Sequence, residues 1–93
     1  MGLYRYRLLL ENSDFLEIFE RFVVENRRIT VTKYSFQWQS SNGALKKRWD
    51  NAPHHPEIET YPSHVHVAND DVVLPHPPVT ITDILELINN DSA

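Results

Sequence analysis

The chain has no cysteine, which excludes disulfides and thiolate-ligated metal centres and suits a reducing cytosol. Two glycines among 93 residues leave no glycine-rich loop of the kind that cradles nucleotide phosphates. No apolar run approaches the roughly 20 residues needed to cross a bilayer. Arg5 and Arg7 break up the opening stretch before it can form the apolar core of a secretion signal. These absences point to a cytoplasmic protein without a membrane partner. There is no repeat and no low-complexity tract, and the length suits one domain (1–93) with a modest core. The last absence is the most informative, because no Lys or Arg follows Arg48. Residues 1–50 hold nine basic and six acidic groups, a net of +3, while residues 51–93 hold seven acids and no base, a net of −7. Such a chain can lay one cationic surface on a polyanion while acidic overall, or can fold its acidic tail over its own basic sheet.

Residues 1–50 read as a four-stranded meander. Leu3–Leu10, Phe15–Val24, Ile29–Gln39 and Leu45–Trp49 are separated by Asn12-Ser13, Asn26-Arg27 and Asn42-Gly43. Asn-Gly is the strongest of these hairpin signals, since both central positions of a type I′ turn need positive φ. Two-residue loops would set Phe36 opposite Trp49, Gln37 opposite Arg48 and Trp38 opposite Lys47. They would also set Phe22 opposite Val31, Glu20 opposite Lys33, Tyr6 opposite Phe19 and Arg5 opposite Glu20. Alternation then sorts the sheet into two faces. One gathers Tyr4, Tyr6, Leu8, Leu10, Phe15, Phe19, Val23, Tyr34, Phe36, Trp38, Leu45 and Trp49 and needs a cover. The other is apolar at one end, with Leu16 and Ile18 among its residues. At the other end it holds Arg5, Arg7, Lys33, Ser35, Gln37, Lys46, Arg48 and Asp50, with Glu20 and Asp50 its only acids.

Residues 51–62 form a proline- and histidine-rich loop. The stretch from Arg48 to His66 contains four of the five histidines and three of the six prolines. Prolines fix the backbone and remove donors, so Ala52-Pro53-His54-His55-Pro56 reads as a rigid loop. Ser63–Val67 alternates and predicts a fifth strand over 63–68, with His64 and His66 on one face. Asn69-Asp70-Asp71 reads as a turn, and Pro75-His76-Pro77-Pro78 as an extended linker. A helix over 80–90 starts at Thr80, its N-cap, with Asp83 three residues on, and presents Ile81, Ile84, Leu85 and Ile88 as its apolar stripe. The expected fold is α+β: an antiparallel sheet of about five strands with one C-terminal helix on its aromatic face. So short a helix cannot cover four strands, and open edges invite a homodimer or a partner.

Arg48-Trp49-Asp50-Asn51-Ala52-Pro53-His54-His55-Pro56, the following Tyr61-Pro62-Ser63-His64-Val65-His66-Val67 and the Thr-led C-terminal helix together resemble the TumE-like toxin family of prokaryotic toxin–antitoxin modules. Tyr34-Ser35-Phe36-Gln37-Trp38-Gln39 is similar to that family's strand before the loop. The resemblance extends over essentially the whole chain and implies a toxin with a cognate antitoxin as its partner. It supplies no residue-level mechanism, so the chemistry comes from the residues themselves.

Three chemistries suit these residues. The first is metal-independent cleavage of RNA, in which His54, His55, His64 and His66 supply a base and an acid near neutral pH and Asp50 assists. Arg48 would meet the phosphate, with Lys46, Arg5, Arg7, Lys33 and Gln37 as further contacts, and Tyr61, Trp49 or Trp38 would stack a base. Trp49 is equally a core residue packed on Phe36, and Asp50-Asn51 equally an Asx turn. The second is a metal site on His64-x-His66 completed by His55 or Asp50. The third is a non-catalytic module binding nucleic acid or protein through the basic face. The favoured reading is an RNA-directed endoribonuclease toxin with no metal and no cofactor.

Overall fold

The computed structural model describes residues 1–67 and 72–92, with side chains described through residue 90 on the helix. The turn expected at Asn69-Asp70-Asp71 lies outside the described residues, as does residue 68. Strands β1 (Gly2–Leu9), β2 (Phe15–Glu25), β3 (Arg28–Gln39), β4 (Leu45–Asp50), β5 (His64–Val67) and β6 (Val72–Pro75) precede helix α1 (Ile81–Ser92). The strands form one antiparallel sheet in sequence order. The α+β architecture is the expected one, with a sixth strand added. Pro75 ends that strand rather than only beginning a linker, and an edge strand tolerates it because no further ladder needs its missing N–H.

The three hairpins differ in kind, and the differences decide which side chains share a face. Asn26 and Arg27 both have positive φ, 50° and 64°, as a type I′ turn requires, and Phe22 opposes Val31 as expected. At Asn42-Gly43 only Gly43 is left-handed, with φ 88°. Ser40 N donates to Ala44 O at 2.9 Å and Gly43 N to Ser40 O at 2.8 Å, so the loop has three residues rather than two. A bulge beside Trp38 and Gln39 absorbs the extra residue, and the expected pairs Phe36–Trp49, Gln37–Arg48 and Trp38–Lys47 form.

The Asn12-Ser13 hairpin departs from expectation. Ser13 sits at φ 71°, Leu10 N donates to Asp14 O at 2.8 Å, and Asn12 Oδ1 accepts from Asp14 N at 3.1 Å. The Asx turn makes this loop one residue longer than expected. Arg5 therefore opposes Phe19 and Tyr6 opposes Ile18, in place of Glu20 and Phe19. A second bulge, between Arg21 and Phe22, sets Glu20 opposite Tyr34 rather than Lys33. A one-residue slip turns a strand over. Leu16, Ile18 and Glu20 consequently face the helix, while Phe15 and Phe19 face away, the reverse of the expected sorting of β2.

The helix-side face is the core: Leu16, Ile18, Tyr34, Phe36, Trp38, Trp49 and Val65 pack beneath Ile84 and Ile88. Each such side chain stabilises by roughly 1.5–3 kcal/mol when fully buried, and Leu16, Phe36 and Ile84 are completely enclosed. Thr80 and Asp83 form a reciprocal cap, Thr80 N to Asp83 Oδ2 at 2.9 Å and Asp83 N to Thr80 Oγ1 at 3.3 Å. This fixes where α1 begins. The core reaches β1 at Leu8 but leaves Tyr4 and Tyr6 38% and 40% exposed, and they stack on each other at 5.7 Å.

Several polar groups along the sheet are paired through side chains. Tyr4 donates to Glu20, and that bond with burial pushes the phenol up to about 12. Asp14 accepts from Trp38 Nε1 at 3.0 Å and from Lys46 Nζ at 2.7 Å. The lysine, chiefly, holds this carboxyl below its usual range. Thr32, the extra residue of the second bulge, leaves ladder positions open on β3. Asn51 fills them, accepting from Tyr34 N at 2.9 Å and donating to Thr32 O at 3.2 Å. That bond anchors the start of the proline-rich loop.

Candidate functional site

Two rows of opposed residues cross the face away from the helix. One runs Arg5, Phe19, Ser35, Asp50, His64, Pro75, and the next runs Arg7, Glu17, Gln37, Arg48, His66, Val73. Opposed residues share a face. Each row therefore leads from a cationic end on β1 to an imidazole on β5, about 19 Å away at four inter-strand spacings.

At the imidazole end three groups are buried together: Asp50 at 6%, His64 at 2% and His66 at 8% exposure. His64 Nε2 lies 2.9 Å from Asp50 Oδ1 and His66 Nε2 lies 3.4 Å from Asp50 Oδ2. The two Nε2 atoms are 3.0 Å apart. Asp50 also accepts from Arg48 Nε at 3.1 Å and from Ala52 N at 3.0 Å, the latter closing the expected Asx turn. His64 Nδ1 lies 2.8 Å from the Pro62 carbonyl. A carbonyl can only accept, so that nitrogen carries a proton, and Nε2 faces the cluster.

The proline-rich loop adds the third imidazole. Consecutive turns, with His54 N on Ala52 O, Ile58 N on His55 O, Tyr61 N on Ile58 O and Ser63 N on Thr60 O, fold it back over β5. Its ring then lies 5.1 Å from that of His64 and 5.9 Å from that of His66. One nitrogen from each of His55, His64 and His66 falls within 4.8 Å of the others. His55 keeps 31% of its side chain exposed and meets Glu57 at 3.3 Å through Nδ1. It is the member of the cluster that solvent reaches most readily.

The other end is cationic and aromatic. Arg5 lies over the Phe19 ring at 4.8 Å, Lys33 over the same ring at 5.9 Å, and Arg7 over Phe15 at 4.6 Å. Arg7 also pairs with Glu17. Arg5 and Lys33 have no carboxylate partner among the described residues. Between the two ends, Arg5, Phe19, Ser35 and Gln37 line a shallow depression.

The structure thus gathers Asp50, Arg48, His55, His64 and His66, and sets Arg5, Arg7, Lys33 and Gln37 on the same face. It does not gather the rest. His54 is exposed and outside the cluster. Lys46 emerges at the β3–β4 bulge, where Asp14 holds its ammonium above the Trp38 ring at 4.6 Å. Trp38 and Trp49 are both 3% exposed in the core and cannot stack a base, while Tyr61 is 45% exposed on the loop. Glu20, expected among the cations, is buried on the opposite face, and Glu17 takes its place. Phe15, Phe19 and Glu57 were not anticipated as site residues. The Asn12 Asx turn was the signal for the first two, and the His-x-Glu spacing from His55 for the third. No curated protein and no solved structure matches the chain. A family model described as Toxin TumE does match, from residue 2 to residue 92, and the chain belongs to the TumE toxin family.

Proposed function

We propose that this toxin acts on RNA, drawing a single strand over the cationic and aromatic face and cleaving it beside the imidazole cluster. The observation that carries the reading is the pair of cross-strand rows. They join Arg5, Arg7 and Phe19 to Arg48, Asp50, His64 and His66 on one surface, with Lys33 and Phe15 beside the cationic end and His55 brought over the other by its loop. Phosphates favour the cations, and bases stack on aromatic faces with little regard to sequence.

With the chain's own groups alone, cleavage runs by acid/base transfer. His55, open to solvent, takes the 2′-hydroxyl proton as the 2′-oxygen attacks phosphorus. The bond to the 5′-oxygen breaks, and that oxygen takes a proton from an imidazolium at His66, which Asp50 and His64 hold in place. Arg48 meets the charge gathering on the phosphorane. The products are a 2′,3′-cyclic phosphate and a 5′-hydroxyl end. The cognate antitoxin, or a second copy, finds a docking surface at the open β1 edge, where Tyr4 and Tyr6 remain uncovered.

Inducible expression tests the toxin role and the target together. Wild-type chain should arrest growth and leave RNA fragments with cyclic-phosphate ends, and co-expression of the antitoxin should prevent both. Unimpaired growth with abundant folded protein refutes the toxin reading, and arrest with intact RNA refutes the target. A non-catalytic binding module would instead arrest growth equally well with His55→Gln.

A further inference from the structure

We infer that the cluster of His55, His64, His66 and Asp50 is a binding site for a divalent transition metal of the zinc class. The inference does not need the RNA reading, but it constrains it: with the ion bound, His55 and His66 are ligands and cannot serve as base and acid, so the acid/base cleavage above belongs to the metal-free protein.

The Pro62 carbonyl at 2.8 Å requires a proton on His64 Nδ1. In the neutral ring His64 Nε2 then carries a lone pair, yet it faces Asp50 Oδ1, which can only accept, at 2.9 Å, and His66 Nε2 at 3.0 Å. A single proton on that nitrogen can lie along only one of those lines. A cation at their common point serves the nitrogens and the carboxylate together.

Geometry agrees. Ligand atoms about 2.0–2.1 Å from a tetrahedral ion lie about 3.3 Å from one another. The observed separations of 2.9, 3.0 and 3.4 Å surround that value, and the His55 nitrogen completes a set within 4.8 Å. A small inward movement of the His55 ring, on its loop, closes the coordination.

At His64 and His55 the outer contacts have the form that metal-binding histidines need. A ligating imidazole gives its other nitrogen to a carbonyl or carboxylate, which fixes its orientation. His64 Nδ1 has the Pro62 carbonyl, and His55 Nδ1 has Glu57 at 3.3 Å. The Asp50 carboxylate is itself steadied by Arg48 Nε and Ala52 N. Three imidazoles and a carboxylate favour zinc, cobalt or nickel over magnesium and calcium, which prefer oxygen alone. Such an ion would pin the proline-rich loop to β4 and β5.

The test is titration of untagged, chelator-stripped protein with zinc by calorimetry, with cobalt as the spectroscopic probe. One zinc should bind per chain, raise Tm, and be displaced by a chelator, and cobalt should give the visible bands of a four-coordinate nitrogen and oxygen site. His55→Ala, on a partly exposed loop, should keep the fold and weaken zinc binding by at least about 100-fold. Glu57→Gln removes only the outer carboxylate and should weaken it roughly 10-fold, the scale of such outer contacts. His54→Ala should leave affinity unchanged. No saturable 1:1 binding, or affinity untouched by His55→Ala, overturns the inference. So does equal loss from His54→Ala, which would mark a diffuse histidine-rich surface. Zinc binding without RNA cleavage would defeat the function proposed above and leave this site standing, and the converse result would do the opposite.

Discussion

Asp50→Asn isolates what one carboxylate contributes to the imidazole end of the sheet. The substitution keeps volume and one carbonyl oxygen but removes the charge and places an NH2 where an acceptor stood. Four groups converge on the native carboxylate: Ala52 N at 3.0 Å, Arg48 Nε at 3.1 Å, His64 Nε2 at 2.9 Å and His66 Nε2 at 3.4 Å. The side chain is 9% exposed, so water cannot take over. Removing one partner of a buried ion pair costs about 3–5 kcal/mol because the other is left uncompensated. Arg48, with 27% of its side chain exposed, recovers part of its hydration, so the lower figure of about 3 kcal/mol applies. For a domain of this size each kcal/mol moves Tm by about 4–8 °C, and the expected fall is about 12–24 °C. Urea unfolding in the presence of a chelator, followed by the fluorescence of buried Trp38 and Trp49, measures it directly. Asp83→Asn, at the exposed helix cap, serves as the control and should cost no more than about 1 kcal/mol. A loss below about 1 kcal/mol for Asp50→Asn would refute the view of the cluster as one coupled, desolvated unit.

Asp14 has its carboxyl held below the usual value of 3.8 by Lys46 and Trp38. A depressed folded-state pKa stabilises above the unfolded value, so this contribution is present above pH 3.8 and is lost as pH falls through the lower folded value. An acid titration of Asp14→Asn should therefore show a shallower loss of stability in that range than wild type. Asn51→Ala strands Tyr34 N–H and the Thr32 carbonyl at the bulge. It should cost about 1–3 kcal/mol by urea unfolding, and a change within error would show that water replaces the side chain. Phe36→Ala should destabilise by about 3–5 kcal/mol, whereas Phe19→Ala should do far less and instead weaken RNA binding. Arg5→Ala and Lys33→Ala should each reduce the salt slope of single-strand RNA binding by about 0.7.

Much of the architecture was legible because it rests on strong local signals. The Thr80/Asp83 cap, the alternating His64-Val65-His66-Val67 strand and the punctuation of the meander by Asn-containing turns are all local. The register of β3 against β4 was right although its turn type was not, because a longer loop and a bulge offset each other. No such compensation occurs at Asn12-Ser13. There the Asx turn adds a residue and Thr32 bulges on β3, so β2 turns over. That single inversion moved Phe15 and Phe19 into the candidate site and Glu20 out of it. Bulges depend on what partner strands and side chains such as Asn51 can satisfy, and a strand's own residues carry little trace of them. The histidines were legible as a group, but their division was not. His55 joins His64 and His66 while its neighbour His54 points elsewhere, an outcome of the loop's successive turns. Trp49 went to the core, as its pairing with Phe36 had suggested.

The most direct test of an RNA-cleaving centre at the imidazole cluster is a cleavage and binding assay with purified His55→Gln beside wild type. His55 is partly exposed on a loop, so the variant should fold, and glutamine keeps polarity and approximate volume without transferring protons. Wild type should cut single-stranded RNA to cyclic-phosphate ends. The variant should bind the same RNA with nearly unchanged affinity and salt dependence while cutting at least about 100-fold more slowly, the lower scale of a lost acid/base group. Cleavage by the variant at the wild-type rate, or no cleavage and no binding by folded wild type, would contradict the account.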